Sequence, residues 1–213
     1  MSERCSTSVD KQEHWERVYG TKAPDRVSWF RPHLDLSLSL IERAAANRSA
    51  SIIDVGGGAS TLVDDLLRSG YRNITVLDVS QTAIDIAKTR LGESSTSVSW
   101  LCADIIQTTF PMQTYDVWHD RAVFHFLTTP AERRAYVQNV MSAVRIGGHV
   151  IVSTFGPEGP EKCSGLEVMR YDAESLHGEF GRRFRLLESS KELHDTPFGT
   201  VQQFLYCYCR REN

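Results

Sequence analysis

The chain has 213 residues, enough for one domain with a sizeable core and too few for two large ones. Hydrophobic residues at 41% and charged residues at 24% describe an ordinary globular protein and exclude a disordered one. A formal net charge of -3 argues against a nucleic-acid partner, which asks for a basic surface, while leaving room for a local basic patch.

Residues 1–47 precede the first sheet strand and are expected to form a helical cap over one edge of the sheet, within the same domain as residues 48–213. Met1 to Asp10 is polar, without the apolar core of a secretory signal, and apolar runs such as Val150 to Val152 are far too short for a bilayer. Five cysteines (Cys5, Cys102, Cys163, Cys207, Cys209) form an odd set without a Cys-x-x-Cys pair. That usage reads as a reducing compartment, so a cytoplasmic protein without a membrane segment is expected.

Ser51 to Val55 is a β-rich run that ends in Gly56-Gly57-Gly58, a strand entering a tight turn. Thr61 to Ser69 then sets Leu62, Leu66 and Leu67 on one helical face before Gly70 stops it. Ile74 to Asp78 is the next strand, Thr82 to Leu91 the next helix, and Val98 to Cys102 and Tyr115 to His119 two further strands. Thr129-Pro130-Ala131-Glu132 carries a capping threonine, a proline where its missing N–H is harmless, and the glutamate of a capping box. The helix it starts is expected to reach about Val144, after which Gly147-Gly148 turns the chain into the strand His149 to Thr154. Strands alternating with helices predict an α/β fold whose mostly parallel sheet is covered on both faces. Phe184 to His194 and Thr200 to Arg210 break the alternation, and with only a turn between them they should pair antiparallel at the end of the sheet.

Asp54-x-Gly56-x-Gly58 stands between a strand and a helix, where glycines let a backbone approach a ligand without Cβ interference. Alone it is either a bare turn or a phosphate cradle, and a dinucleotide fingerprint would need glycine where Thr61 stands. Asp78 ends the second strand, where a carboxylate can accept from both ribose hydroxyls, and Asp104 follows the third, where it can accept from an adenine amine. Any one of these acids alone would pass for a helix cap or a turn residue. Three at the carboxyl ends of successive strands mark the edge at which open α/β sheets bind ligands.

With these motifs in order the chain resembles the class I S-adenosylmethionine-dependent methyltransferase family in its small, single-domain form. Ile52 to Gly58 is similar to the family's first motif, Val76-Leu77-Asp78-Val79-Ser80 to its ribose-binding segment, and Cys102-Ala103-Asp104-Ile105 to its adenine-binding segment. Tyr115 to Asp120 and Arg145 to Val150 are similar to its fourth-strand motif and to the Gly-Gly turn before its fifth strand. The resemblance covers about Ser51 to Thr154 and implies a Rossmann-like, doubly wound, three-layer α/β/α fold with S-adenosylmethionine as cofactor. It sets Asp54, Gly56, Gly57 and Gly58 against the methionine moiety, Asp78 on the ribose, Asp104 on the adenine amine, Ala103 in the adenine-binding segment and Val79 and Ile105 on the ring faces. The backbone at His119 and Asp120 would lie near the sulfonium. His14 to Tyr19 with Ser28-Trp29-Phe30 looks like the cap of small-molecule and some protein-lysine methyltransferases. There Trp15, Tyr19 and Trp29 either close a lid over cofactor and acceptor or pack as ordinary helix aromatics, and Arg26 or Arg31 is placed to pair with the cofactor carboxylate.

Methyl transfer depends on alignment and water exclusion, and needs a base only when the nucleophile arrives protonated. His125 is the best titratable candidate, against the plainer reading of a packed histidine between Phe124 and Phe126. Asp120 and Arg121 are either catalytic or a structural ion pair that shapes the pocket. Phe155 to Gly165 reads as a substrate-facing loop containing Cys163, while Cys207 and Cys209 share a strand face as core residues. No histidine and cysteine spacing suggests a metal. The expected function is methyl transfer to a small-molecule acceptor, with protein-lysine methylation the alternative and a catalytically silent cofactor-binding module the second. No motif encodes the acceptor atom or an oligomeric state.

Overall fold

The structure, a computed structural model, describes residues 8–213. Cys5 and nearly all of the stretch read above for a secretory signal lie outside the described residues.

Five parallel strands form the centre of the sheet: β1 (Ser51–Val55), β2 (Asn73–Asp78), β3 (Val98–Cys102), β4 (Tyr115–Arg121) and β5 (Val144–Phe155). Two long strands, β8 (Phe184–Asp195) and β9 (Val201–Arg211), complete seven in the order β3-β2-β1-β4-β5-β9-β8. β9 runs antiparallel to β5 and β8 antiparallel to β9, as the helix-free tail predicts. A two-residue hairpin, β6 (Lys162–Cys163) with β7 (Leu166–Glu167), lies in the loop beyond β5.

Alternation along the strands divides the core into two layers. Ile53, Val55, Trp118, Val150 and Val152 face α5 (Pro130–Ala143) and α6 (Ala173–Phe180). Ile52, Val76, Val117 and Ile151 face α2 (Asp35–Ala44) and α3 (Leu62–Arg68). Each face of the sheet is therefore a buried apolar surface, which is why the central strands lack polar alternation. The threonine cap forms as the sequence predicts: Thr129 accepts from the Glu132 amide while Glu132 accepts from the Thr129 amide. Such a cap is worth about 1 kcal/mol.

Two features depart from the sequence reading. β5 begins at Val144 rather than after the Gly-Gly turn, its register shifting against β4 between Tyr115 and Val117. α6, with its own capping box from Asp172 to Ser175, has no counterpart in the sequence pattern; eight residues carry too few helical repeats to stand out.

Sheet order reverses at β1, whose two neighbours are β2 and β4. The crevice at that switch point, outside the carboxyl ends of the strands, is where such sheets bind ligands. α1 (Ser8–Thr21) lies across it. Glu16 of α1 accepts from the amides of Gln81 (2.5 Å) and Thr82 (3.2 Å), the first residues of α4 (Gln81–Leu91). Lys11 of α1 pairs with Glu132 in the cap of α5. The cap is thus tied to two helix N-termini that flank the crevice, Glu16 meeting donors that no helical carbonyl satisfies. Among the described residues no helix is long and apolar enough to cross a membrane.

Candidate active site

The three acids converge at the crevice. Asp54, 2% exposed, is the penultimate residue of β1, beside the glycine turn; Oδ1 lies 2.7 Å from His119 Nδ1, and Oδ2 is buried with no partner. Asp78 ends β2, with Oδ2 accepting from the Gly58 amide (3.0 Å) and Oδ1 from the Ser80 amide (2.9 Å). Burial pushes its carboxyl up to about 6 against those two amide bonds, with Asp54 and Glu16 adding repulsion. Asp104 accepts at Oδ1 from the Ile106 amide (3.0 Å) and leaves Oδ2 buried and unpartnered.

The turn is built from residues that cannot carry a side chain. Gly56 has φ +72°, and a Cβ there would sit 2.1 Å from a Val123 methyl. A Cβ on Gly58 would lie 2.4 Å from Asp78 Oδ2, so this glycine lets the amide reach the carboxylate.

Two cavities meet at this turn. The larger, about 840 Å³ including its open mouth, is lined by Asp78, Val79, Ala103, Asp104 and Ile105. Trp15, Tyr19, Trp29 and Phe126 line it too, with Cys163 and Arg121. The smaller, about 540 Å³, is bordered by Asp54, Gly56, Gly57, His119 and Arg31. Lys11, Trp15 and Tyr19, four residues apart along α1, share the face that looks into the larger cavity. Trp15 meets Trp29 and Phe126 edge to face at 5.5 and 5.2 Å, so the aromatics are one packed wall that also lines a cavity.

These surroundings fit S-adenosylmethionine. Buried acceptors without donors at Asp54 and Asp104 match a cofactor that brings an amino group and an adenine amine. Asp78, with lone pairs left beyond two amide bonds, matches ribose hydroxyls. The Cβ-free turn leaves backbone room beside Asp54.

Several expected residues lie elsewhere. His125 lines neither cavity: it is fully buried, accepts from the Phe155 amide at Nδ1, and stacks near Phe126 and Phe155 at 4.5 and 4.7 Å. Burial and the Arg121 charge depress it to about 3, so the ring is neutral and walled off from any acceptor. The base expected there is corrected to a packing residue. Asp120 is likewise buried away from both cavities, accepting from Tyr136 (2.6 Å) and the Val123 amide (2.8 Å), and it makes no ion pair with Arg121. Burial lifts its carboxyl to about 6, with Tyr136 and the amides opposing. Phe155 is fully buried under Phe204 and lines neither cavity. Cys163 does reach the larger cavity, as a buried β6 residue whose thiol burial pushes up to about 12. Arg31 borders the smaller cavity but pairs with Glu192, and Arg26 is exposed outside both.

The structure also assembles a relay that no motif announces. His119 Nε2 meets Ser37 Oγ at 2.9 Å, Ser37 Oγ meets Tyr206 Oη at 3.3 Å, and Tyr206 Oη accepts from Arg121 Nε at 3.1 Å. The turn of β1 is thereby linked through β4, α2 and β9 to the far wall of the cavity. Ser37 sits among leucines and Tyr206 in an aromatic strand, so only pairing across the sheet reveals them.

Comparison with known proteins agrees with this geometry. Residues 52–148 match the profile of a methyltransferase domain family. The chain is 26% identical over 129 residues to the eEF1A lysine and N-terminal methyltransferase of Mus musculus, 61% of this chain but only 18% of that protein's length. It is 20% identical over 200 residues to the EEF1A lysine methyltransferase 2 of Homo sapiens, covering 85% of this chain and 77% of that one. In fold it is similar to the N-methyltransferase NodS from Bradyrhizobium japonicum WM9 in complex with S-adenosylhomocysteine (TM-score 0.71, 16% identity, 97% and 99% of the two chains). It is similar too to a Burkholderia thailandensis 1,6-didemethyltoxoflavin-N1-methyltransferase with 1,6-didemethyltoxoflavin and S-adenosylhomocysteine bound (TM-score 0.67, 15% identity, 100% and 94%). Residues 52–148 thus match a methyltransferase domain, and the strand order gives the chain the Rossmann-like fold of S-adenosylmethionine-dependent methyltransferases.

Proposed function

We propose that the enzyme methylates a small-molecule acceptor held under the α1 cap. The observation that carries this reading is that one cavity is lined both by Asp78 and Asp104 and by the aromatic side chains of Trp15, Tyr19, Trp29 and Phe126. The cofactor supplies an electrophilic methyl on a sulfonium, transferred to the acceptor by displacement, with S-adenosylhomocysteine leaving. Asp78 holds the ribose, Asp104 the adenine amine and Asp54 the amino group. The aromatic wall excludes water and orients an apolar acceptor, which is most of what such a displacement asks of a protein. With His125 and Asp120 walled off, the acceptor arrives as a nucleophile that needs no base from those two residues.

Protein-lysine methylation is the second reading, favoured by relatives named for elongation-factor lysines. Against it stands Arg121 in the cavity wall, a cation that a lysine ammonium would have to approach. Methyl-labelled cofactor incubated with enzyme and a cell lysate separates the two. Label is expected in the small-molecule fraction; label confined to protein would reject the reading preferred here. A silent cofactor-binding module would retain affinity for S-adenosylmethionine and label neither fraction.

A further inference from the structure

Arg121 closes β4 and its guanidinium is walled in on nearly every side, with 7% of the side chain exposed. Nε donates to Tyr206 Oη (3.1 Å), Nη1 to the Trp29 carbonyl (3.2 Å), and the plane lies 4.1 Å from the Phe204 ring centre. Nη2 is buried with no hydrogen-bond partner, its nearest carboxylate oxygen, Glu192 Oε2, standing off at 3.7 Å. Glu192 is already bound by Arg31. Two guanidiniums thus share one carboxylate, and the cluster holds a positive charge in excess at a wall common to both cavities.

A buried guanidinium with an idle N–H pair is costly unless something completes it. The other groups turned towards it offer no anion. The Cys163 thiol is held protonated by burial, and His194, which faces the same cluster, is kept neutral by burial and by Arg121 and Arg31 despite a bond to the Ser28 carbonyl. Arg121 is fixed directly by Trp29 of the cap region and by Tyr206 and Phe204 of β9, and it reaches Asp54 only through the Tyr206, Ser37 and His119 relay. With Nε and Nη1 engaged, the fixed Nη2 is the donor that an added carboxylate would complete with a charge-assisted hydrogen bond.

We propose that Arg121 is a specificity-determining residue that anchors a carboxylate of the acceptor, so that the substrate class is a small aromatic or otherwise apolar organic acid. The aromatic wall of Trp15, Trp29 and Phe126 takes its apolar body and Arg121 Nη2 its acid. This rests on the small-molecule reading of the same site and specifies its chemistry. The donor's own carboxylate is the rival source of the anion, and it predicts a different result.

The test is calorimetry on the intact protein already saturated with S-adenosylhomocysteine, which fills the donor's carboxylate site. The probes are benzoate, salicylate and indole-3-acetate, each against its primary amide, with benzylamine as a cationic control. At least one acid should bind tenfold or more tightly than its amide, with benzylamine weakest. Arg121→Gln should bring the acid-to-amide ratio close to one while S-adenosylhomocysteine affinity stays within twofold. Arg121→Lys, which keeps the charge, should leave an intermediate ratio, and the wild-type comparison stands even if the glutamine variant does not fold. Equal binding of acids and amides, no acid binding, preference for benzylamine, or a loss confined to S-adenosylhomocysteine affinity in Arg121→Gln would each overturn the proposal. Label transferred to an uncharged small molecule would overturn it and leave the small-molecule reading intact.

Discussion

Asp78 joins sequence position to chemistry in one side chain, since it ends a strand, receives two amides and faces the cavity. Replacing it by alanine should weaken S-adenosylhomocysteine binding by about 1.5–3 kcal/mol, the scale of hydrogen bonds to a charged group. Calorimetry checks this, and an unchanged affinity would mean that the ribose lies elsewhere. Its pH dependence has a definite sign. The folded carboxyl titrates at about 6, against roughly 3.9 in an unfolded chain. The folded protein therefore binds the proton more readily, and the unliganded fold is relieved of this group's burial cost as pH falls through about 6. Ribose hydroxyls need the ionised form, so cofactor affinity should move the opposite way and weaken up to about tenfold between pH 7 and 5. Asp78→Asn should flatten that profile. A wild-type affinity level down to pH 5 would contradict the assignment.

At the scale of elements, α1 is held more by its latches than by helical propensity. Its face towards the cavity carries Lys11, Trp15 and Tyr19, and its grip on α4 is Glu16. Burial pushes that carboxyl up, yet bonds from the Thr82 hydroxyl and the Gln81 and Thr82 amides outweigh it and hold the group below the usual glutamate range. Glu16→Ala should free the cap at a cost of about 1 kcal/mol. That corresponds to roughly fivefold weaker S-adenosylhomocysteine binding, mostly through faster dissociation. Hydrogen exchange should rise in Ser8–Thr21 and in the first turn of α4, while the sheet stays protected. If dissociation and α1 exchange are both unchanged, α1 is a fixed wall rather than a cap that opens.

For the molecule as a whole, the site is assembled from parts distant in the chain: α1, the β1 turn, the ends of β2, β3 and β4, and the hairpin β6–β7. A ligand bridging them stabilises only the folded state. At a hundredfold excess over its dissociation constant, S-adenosylhomocysteine should contribute about 2.7 kcal/mol. For a chain of this size that is roughly a 5–10 °C rise in Tm. Asp78→Ala should lose most of that rise at the same ligand concentration, and a thermal scan with and without ligand reads both. No rise in the wild type would count against a preformed donor site.

The sequence by itself determined that a glycine turn and three acids meet at the crevice, because those features are local. A β-rich run followed by glycines must turn tightly, and residues at or just past a strand's carboxyl end must stand at the sheet edge, so the places of Asp54, Gly56, Asp78 and Asp104 were legible from position alone. Thr129, Pro130 and Glu132 were legible for the same reason, since a helix cap is written within four residues. Tertiary structure decided the rest. His125, Asp120 and Phe155 look as available in sequence as Arg121 does, and only packing turned the first three into the core and left the guanidinium on the cavity wall. Ser37, Tyr206, Glu192 and Glu16 gave no sign of themselves, because what gives each its part is a partner 65 or more residues away. Strand ends and caps follow from neighbours in the chain; which side chain meets the acceptor follows from which strands lie side by side, and that is settled by burial over the whole sheet.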